Sequence, residues 1–480
     1  MSELCNLSAV ELRALIGRKA ISPSELMTAT IERIEEIDPI LNAIPIRDFD
    51  RAMESAKEAD KRLLAGNPLP PMFGLPLGVK DLNDVAGLPT VKGSPRLVDH
   101  VASEDERVVA AMKQAGAIVI GKTNVPEMGF GATTDNPVFG ITRNPFAPER
   151  SAGASSGGSA VALASGMVPL AMGSDFAGSL RTPASFCGIS GMRPSPGIAP
   201  FEHRPFVWSP LDVLGPMGRT AADMKLLLGA MAAFDSRDPF SMSVDPRLLK
   251  PACPIDLSGL KVAFSFDLGG LAPVEQQIKD AFRAKAEHIK DAFLDARWIE
   301  PDIEDAYRAF YILRGVDFVG EFEETYRNEP ETLGPDIHFE MERAMKLTPG
   351  DMAWAQAAQS RVYNAAQALF EEIDLLITPA ASVPPFLHEE RFPKIIDDKP
   401  LEHYLDWEAI SWAVTMFANP AVVIPAGLGP TGLPMGLQII GPYRQDGWLL
   451  DVVHTLEDMF AAHTDLARPT PKVSGMTKKL

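Results

Sequence analysis

Cysteine is scarce in this chain: three residues of 480, Cys5, Cys187 and Cys253. They form no CxxC pair and no cluster with histidine at metal-ligand spacing, so neither a disulfide framework nor a metal centre is expected. Free thiols fit a reducing compartment. Positive charge is also short, with 45 Lys and Arg against 64 Asp and Glu and a formal net charge of −19. Nucleic acids and anionic membranes bind basic faces, so neither is expected as a partner. No apolar run reaches the roughly 20 residues that span a bilayer. The best candidate, residues 159–172, is broken by Ser165, Gly166 and Pro169. The first residues carry neither a basic segment nor an apolar one, so no signal peptide is expected and the cytoplasm is the expected compartment. Internal repeats and low-complexity tracts are absent as well.

What is present is apolar material for a large core, 46% of the residues. Length alone allows about three domains. Ser8-Ala-Val-Glu11 is a capping-box pattern that opens a short helix. Ser22-Pro23 opens a second, with Leu26, Ile31, Ile34 and Ile37 on its apolar face. Residues 50–65 read as a charged surface helix. From Phe73 onward, strands and helices alternate: helix 104–114, strand 117–120, helix 156–165, strand 168–171, and later strands at 261–265, 374–378, 421–425 and 436–440. Long helices are expected at 352–373 and 448–462. Such alternation predicts an α/β fold with a largely parallel sheet covered on both faces.

Two serine-bearing segments carry the chemistry. One is Arg150-Ser-Ala-Gly-Ala-Ser-Ser-Gly-Gly-Ser159; the other is Gly173-Ser-Asp-Phe-Ala-Gly-Ser-Leu-Arg-Thr-Pro183. Ser155 and Ser179 sit in small-residue turns 24 positions apart. Small residues let a backbone approach a substrate closely enough for its N–H groups to hold an oxyanion. No charged residue lies between Arg150 and Asp175, so the segment reads as buried. Upstream, Gly74-Leu-Pro-Leu-Gly-Val-Lys-Asp81 places Lys80 at the end of an apolar strand. Desolvation there favours the neutral amine, which is what a lysine base requires.

These segments resemble the amidase signature family, which uses a Ser–cisSer–Lys triad. Further matches are Gly121-Lys-Thr-Asn124, Asn144-Pro145, Phe186-Cys-Gly188 and Gly436-Leu-Gln-Ile-Ile-Gly-Pro442. The resemblance runs over about residues 7–235 and 350–463. It implies one α/β/α domain with a large mixed, mostly parallel sheet. It implies Lys80 as base, Ser155 as the bridging serine and Ser179 as nucleophile. Backbone N–H groups of Phe176, Ala177, Gly178 and Ser179 would form the oxyanion hole, and Met128, Gly129, Phe130 and Phe176 would line the substrate pocket. The implied organisation is a helical layer (1–65), a core with the catalytic loops (66–235), a variable helical insert roofing the pocket (236–350), the rest of the core (351–463) and a tail (464–480). The insert is acidic and aromatic, with Asp302, Asp305, Tyr307, Phe310, Tyr311, Phe318 and Phe322. No cofactor or metal is implied. The partner implied is a small-molecule amide, and a homodimer is compatible.

This chain departs from the family at two places. Asp175-Phe-Ala-Gly-Ser179 stands where the family usually has Asp-Thr-Gly-Gly-Ser, and Gly153-Ala-Ser-Ser156 where it usually has Gly-Gly-Ser-Ser. Neither change removes a backbone donor; Phe176 adds bulk, and Ala177 must adopt an L-residue conformation. Asp175 and Arg181 are expected to pair structurally. Gly153-Ala-Ser-Ser-Gly157 also fits the Gly-x-Ser-x-Gly elbow of α/β-hydrolases, with His454 available, but that reading leaves Lys80 and the Ser179 loop unexplained. His100 and His203 read as solvated or structural, and Trp208 and Trp412 as able to reach the site. The preferred reading is a stand-alone amidase for a small, partly apolar or aromatic amide. One alternative is the glutaminase component of a glutamyl-tRNA amidotransferase, weakened because Phe339-Glu-Met-Glu-Arg-Ala-Met-Lys346 replaces that branch's Arg-Arg-Ile-rich stretch. The other is a non-catalytic binding protein on a degenerate amidase fold.

Overall fold

The computed structural model describes residues 3–204, 206–473 and 476. Among these residues are thirteen α-helices and one sheet of eleven strands, with a separate two-stranded ribbon. The strands are β1 (Ile46–Arg47), β2 (Pro76–Lys80), β3 (Ile118–Thr123), β4 (Leu170–Asp175), β5 (Ser190–Arg193), β6 (Val213–Gly218) and β7 (Lys261–Phe264). They continue with β8 (Asp295–Trp298), β9 (Leu375–Pro379), the ribbon strands β10 (Ile395–Ile396) and β11 (Lys399–Pro400), β12 (Ala421–Leu428) and β13 (Pro434–Ile440). The helices are α1 (Ala9–Gly17), α2 (Pro23–Leu41), α3 (Phe49–Leu64), α4 (Arg107–Gln114), α5 (Gly157–Ala164), α6 (Arg181–Cys187) and α7 (Ala221–Met231). They continue with α8 (Gln276–Ile289), α9 (Asp305–Asn328), α10 (Pro335–Ala344), α11 (Pro349–Phe370), α12 (Ala409–Phe417) and α13 (Asp446–Ala461).

The first helices start where their caps lie. Ser8 and Glu11 close a reciprocal capping box on α1, and Ser22 and Glu25 do so on α2, with Pro23 in its first turn. The sheet order is β1-β3-β2-β4-β6-β5-β12-β13-β9-β7-β8. Parallel pairing holds in two blocks, β3-β2-β4 and β9-β7-β8. Between them the strands run antiparallel, and for β12 and β13 the short connection 429–433 forces the reversal.

Strand alternation divides the core between two faces. On β4, Leu170 and Met172 join one cluster with α1, α4, α7 and α13, while Ala171 joins the other with α2, α3, α5 and α6. On β12, Val422 and Ile424 face the first cluster and Val423 the second. The result is the expected α/β/α arrangement. Among the described residues no helix is long and apolar enough to cross a membrane.

Two boundaries differ from the sequence reading. The 236–350 stretch is not wholly helical cover: β7 and β8 extend the sheet, and only α9 and α10 reach the pocket side. β8 reads Asp-Ala-Arg-Trp, an edge strand with no apolar run to announce it. The tail begins inside the core, since Leu466 is fully buried in the first cluster. Residues 474, 475 and 477–480 of that tail lie outside the described residues.

Helix α5 begins against the chain at Asn124. A Cβ on Gly158 would sit 2.3 Å from Asn124 N and 2.6 Å from Asn124 O, both backbone atoms that cannot turn aside. Gly158→Ala is therefore expected to destabilise the fold by about 1–3 kcal/mol. A lowered urea midpoint with unchanged slope checks this; an unchanged midpoint contradicts it.

Candidate active site

β2 runs between β3 and β4 with all of its residues buried, and it delivers Lys80 to the end of the sheet. Lys80 Nζ lies 2.8 Å from Ser155 Oγ and 3.0 Å from Ser174 Oγ. The side chain is fully buried. Desolvation lowers its pKa to about 7, against the opposing pull of Asp212 and Asp175. Next to it, Asp81 takes a different lysine, Lys122, at 3.0 Å in a buried pair that ties β2 to β3.

Ser155 follows a cis peptide bond from Ala154. The loop bearing it is knitted to the second serine loop: Ser156 N–H donates to Ser179 O at 3.2 Å, and Ser156 Oγ to Ser174 O at 3.3 Å. Asn144 holds the approach to the loop by donating to Ser151 O and Phe186 O, both at 3.0 Å. Gly153 takes φ +77°, and a Cβ there would meet Pro183 Cα at 2.8 Å.

Asp175 organises the turn around Ser179. Its carboxylate accepts from Gly178 N–H (3.0 Å), Leu180 N–H (3.1 Å), Arg181 Nε (3.0 Å) and Arg181 Nη2 (2.8 Å). Burial alone would raise its pKa, but Arg181, Arg193 and the backbone donors outweigh burial and hold it far below the usual carboxylate range. Arg181 also donates to Ser411 O (2.6 Å), Gln438 Oε1 (2.7 Å) and Thr415 Oγ1 (3.1 Å). The expected Asp175–Arg181 pair is thus one part of a larger network.

Among the N–H groups expected in the oxyanion hole, that of Gly178 donates to Asp175. The N–H groups of Phe176, Ala177 and Ser179 donate to no acceptor among the described residues. Ala177 keeps a negative φ, while Gly178 takes φ +128°, which an L-residue resists.

A cavity of about 200 Å3 opens onto this turn, lined by Ser155, Ser174 and Ser179 together. Met128, Gly129, Phe130 and Phe176 all line it. Phe130 packs on Phe318 at 4.5 Å between ring centroids, and Phe176 on Phe310 at 5.9 Å. Arg314 lies under this wall, 4.6 Å from the Phe318 centroid, with Glu340 as its ion partner at 2.8 Å. At the other side, Asp84, Glu106 and His203 bring ligand-type atoms within 4.8 Å of one another, the one such group among the described residues.

The sequence matches the Amidase family model across residues 25–450. The chain belongs to the amidase family. It is an amide-hydrolysing enzyme. It is 33% identical over 466 residues to an acylamidase of Rhodococcus erythropolis, covering 94% of this chain and 95% of the relative. It is 33% identical over 482 residues to a glutamyl-tRNA(Gln) amidotransferase subunit from Thermus thermophilus, covering 94% and 97%. Among solved structures, a bacterial aryl acylamidase of the amidase signature family superposes with a TM-score of 0.86 at 28% identity, covering 94% and 96%.

Several expectations for this amidase change in the structure. Ser155 takes its hydrogen bond from Lys80 and not from a histidine, which removes the α/β-hydrolase elbow reading. Trp412 is buried against Phe310 and Trp208 points to solvent; neither lines the cavity. His100 and His203 do line it, half-exposed, each beside a carboxylate: Asp84 at 3.9 Å and Glu106 at 3.4 Å. Sequence reasoning missed Ser174, Asp212, Arg314, Asp317, Glu321 and Glu408, all cavity-lining. A charged residue opening an apolar run, as Asp212 does before Val213-Leu-Gly-Pro216, was the available signal for one of them.

Removing the Asp175 charge would strand two buried guanidinium groups. Asp175→Asn is expected to cost about 3–5 kcal/mol of stability. Chemical denaturation checks it, and a loss below about 1 kcal/mol would show that the network does not hold the turn.

Proposed function

We propose that this enzyme is a stand-alone amidase that hydrolyses a small, partly apolar or aromatic carboxylic amide to an acid and ammonia or an amine. Ser179 is the nucleophile, Ser155 the proton relay and Lys80 the base. The observation that carries the reading is the fully buried Lys80 amine, 2.8 Å from Ser155 and shifted to about 7. A neutral lysine at working pH is a competent base; a solvated one is not.

Ser179 Oγ bonds to the carbonyl carbon as its proton passes to Ser155 and the Ser155 proton passes to Lys80. The N–H groups of Phe176, Ala177 and Ser179 receive the oxyanion, each donor contributing on the order of a hundredfold or more in rate. Ser155 protonates the departing nitrogen as the C–N bond breaks, and Lys80 returns a proton to Ser155. Water then attacks the acyl group, gives its proton through the same relay, and releases the acid with Ser179 restored.

The aromatic wall of Phe130, Phe176 and Phe318 supports an apolar or aryl group in the substrate. Part of that wall comes from the 236–350 segment, which we assign the role of shaping specificity. Likeness to an acylamidase and to an aryl acylamidase supports the same reading. The glutaminase reading draws on the likeness to amidotransferase components, and glutamine belongs in the same assay.

With neutral arylamides, Ser179→Ala and Lys80→Ala are each expected to reduce kcat/KM by on the order of a thousandfold or more. Turnover of glutamine alone would favour the amidotransferase reading. Turnover surviving Ser179→Ala would remove the mechanism. Because only the unprotonated amine accepts a proton, kcat/KM is expected to rise with pH through about 7 and level off above it. A rate that falls across that range contradicts a lysine base.

A further inference from the structure

The cavity that holds the serines is unusually acidic in its lining. Six carboxylates face it, against the cations Lys92, Arg204 and Arg314. Two of those three cations are already engaged: Arg204 with Asp238 at 3.3 Å and Arg314 with Glu340 at 2.8 Å. Lys92 faces Glu321. The carboxylates therefore exceed the positive charge the protein sets against them.

Their placement is ordered. Arg314, Asp317, Phe318 and Glu321 recur at i, i+3, i+4 and i+7 on α9, so one helix face lines the cavity. Asp212 approaches from the other wall, directly before Val213, which pairs with Asp175 at the root of the nucleophile turn. It makes no hydrogen bond among the described residues, and Asp317 has only Ser209 Oγ at 3.5 Å. Burial and then Asp212 push the Asp317 carboxyl up to about 7 against the opposing pull of Arg314, while Asp212 itself feels Lys80, Arg204 and Arg193. An independent sign comes from Glu408. It is 4% exposed, lines the same cavity, and its Oε1 has no partner. A metal is a poor match at Asp212, Asp317 and Glu321, because among the described residues only Asp84, Glu106 and His203 cluster closely enough to share an ion. The rings of Phe130, Phe176 and Phe318 beside the carboxylates suit an organic cation, which gains from an aromatic face as well as from an anion.

We propose that the cavity selects amides carrying a protonated amine, with the ammonium held between Asp212 and the Asp317–Glu321 face of α9, over neutral amides of the same shape. The proposal rests on the hydrolytic reading above and narrows its substrate class. The amine belongs either to the acyl part or to the leaving part of the substrate, and the test separates the two.

The experiment uses two matched pairs of arylamides. In one pair an ω-aminoalkanoyl arylamide is compared with its isostere bearing methyl in place of ammonium; in the other, the same exchange is made on the leaving amine. Binding is measured by calorimetry to the Ser179→Ala protein, and kcat/KM with the wild type. In at least one pair, the ammonium member is expected to bind and turn over about tenfold or more better at low salt, with the advantage shrinking as salt rises. In Asp317→Asn/Glu321→Gln the ratio within that pair is expected to fall to within about twofold. Equal binding within both pairs, or a preference that the double substitution leaves intact, overturns the proposal. Preferential binding without wild-type hydrolysis would keep the subsite and overturn the hydrolytic reading instead.

Discussion

A single buried carboxylate holds the reactive half of this molecule together. Asp175 ends β4, and its two oxygens collect two backbone N–H groups and the guanidinium of Arg181, with Arg193 beside them. Arg181 then reaches α12 through Ser411 and Thr415 and β13 through Gln438. Buried charge of this kind is costly to assemble, and its partners leave it little freedom once formed. The geometry of the Ser179 turn is a consequence: Gly178 N–H is committed to Asp175, and the N–H groups of Phe176, Ala177 and Ser179 meet no acceptor among the described residues.

The same constraint separates two kinds of buried lysine. Lys122 lies against Asp81 and makes an ion pair. Lys80 closes β2 and finds serine hydroxyls. Asp81 follows it in the turn just beyond the strand. The Lys80-Asp81 dipeptide thus sends its carboxylate to the structural lysine and its amine to the serines.

The elements legible in the sequence were those whose signals are local. Capping boxes at Ser8 and Ser22, the uncharged stretch 151–174, and Lys80 closing an apolar strand all depend on neighbours in the chain. The serine turns and their lysine could be read on that basis and on family resemblance. What escaped was set by tertiary pairing. β5, β6 and β8 are short, rich in small or polar residues, and become strands because partners lie beside them. The acidic lining escaped for a similar reason: Asp212 and Asp317 are about a hundred residues apart and meet only when α9 folds over the nucleophile turn. The hydrogen bond from Gly178 N–H to Asp175, three residues back, was likewise not legible in the motif.

The central claim is that Ser179, made reactive through Ser155 and a neutral Lys80, carries the acyl group. Labelling of the intact enzyme with a fluorophosphonate, followed by peptide mass spectrometry across a pH series, tests it most directly. The account predicts one adduct, on Ser179, forming faster as pH rises through about 7. An adduct on Ser155, or labelling of Ser179 that is indifferent to pH and to Lys80→Ala, would contradict it.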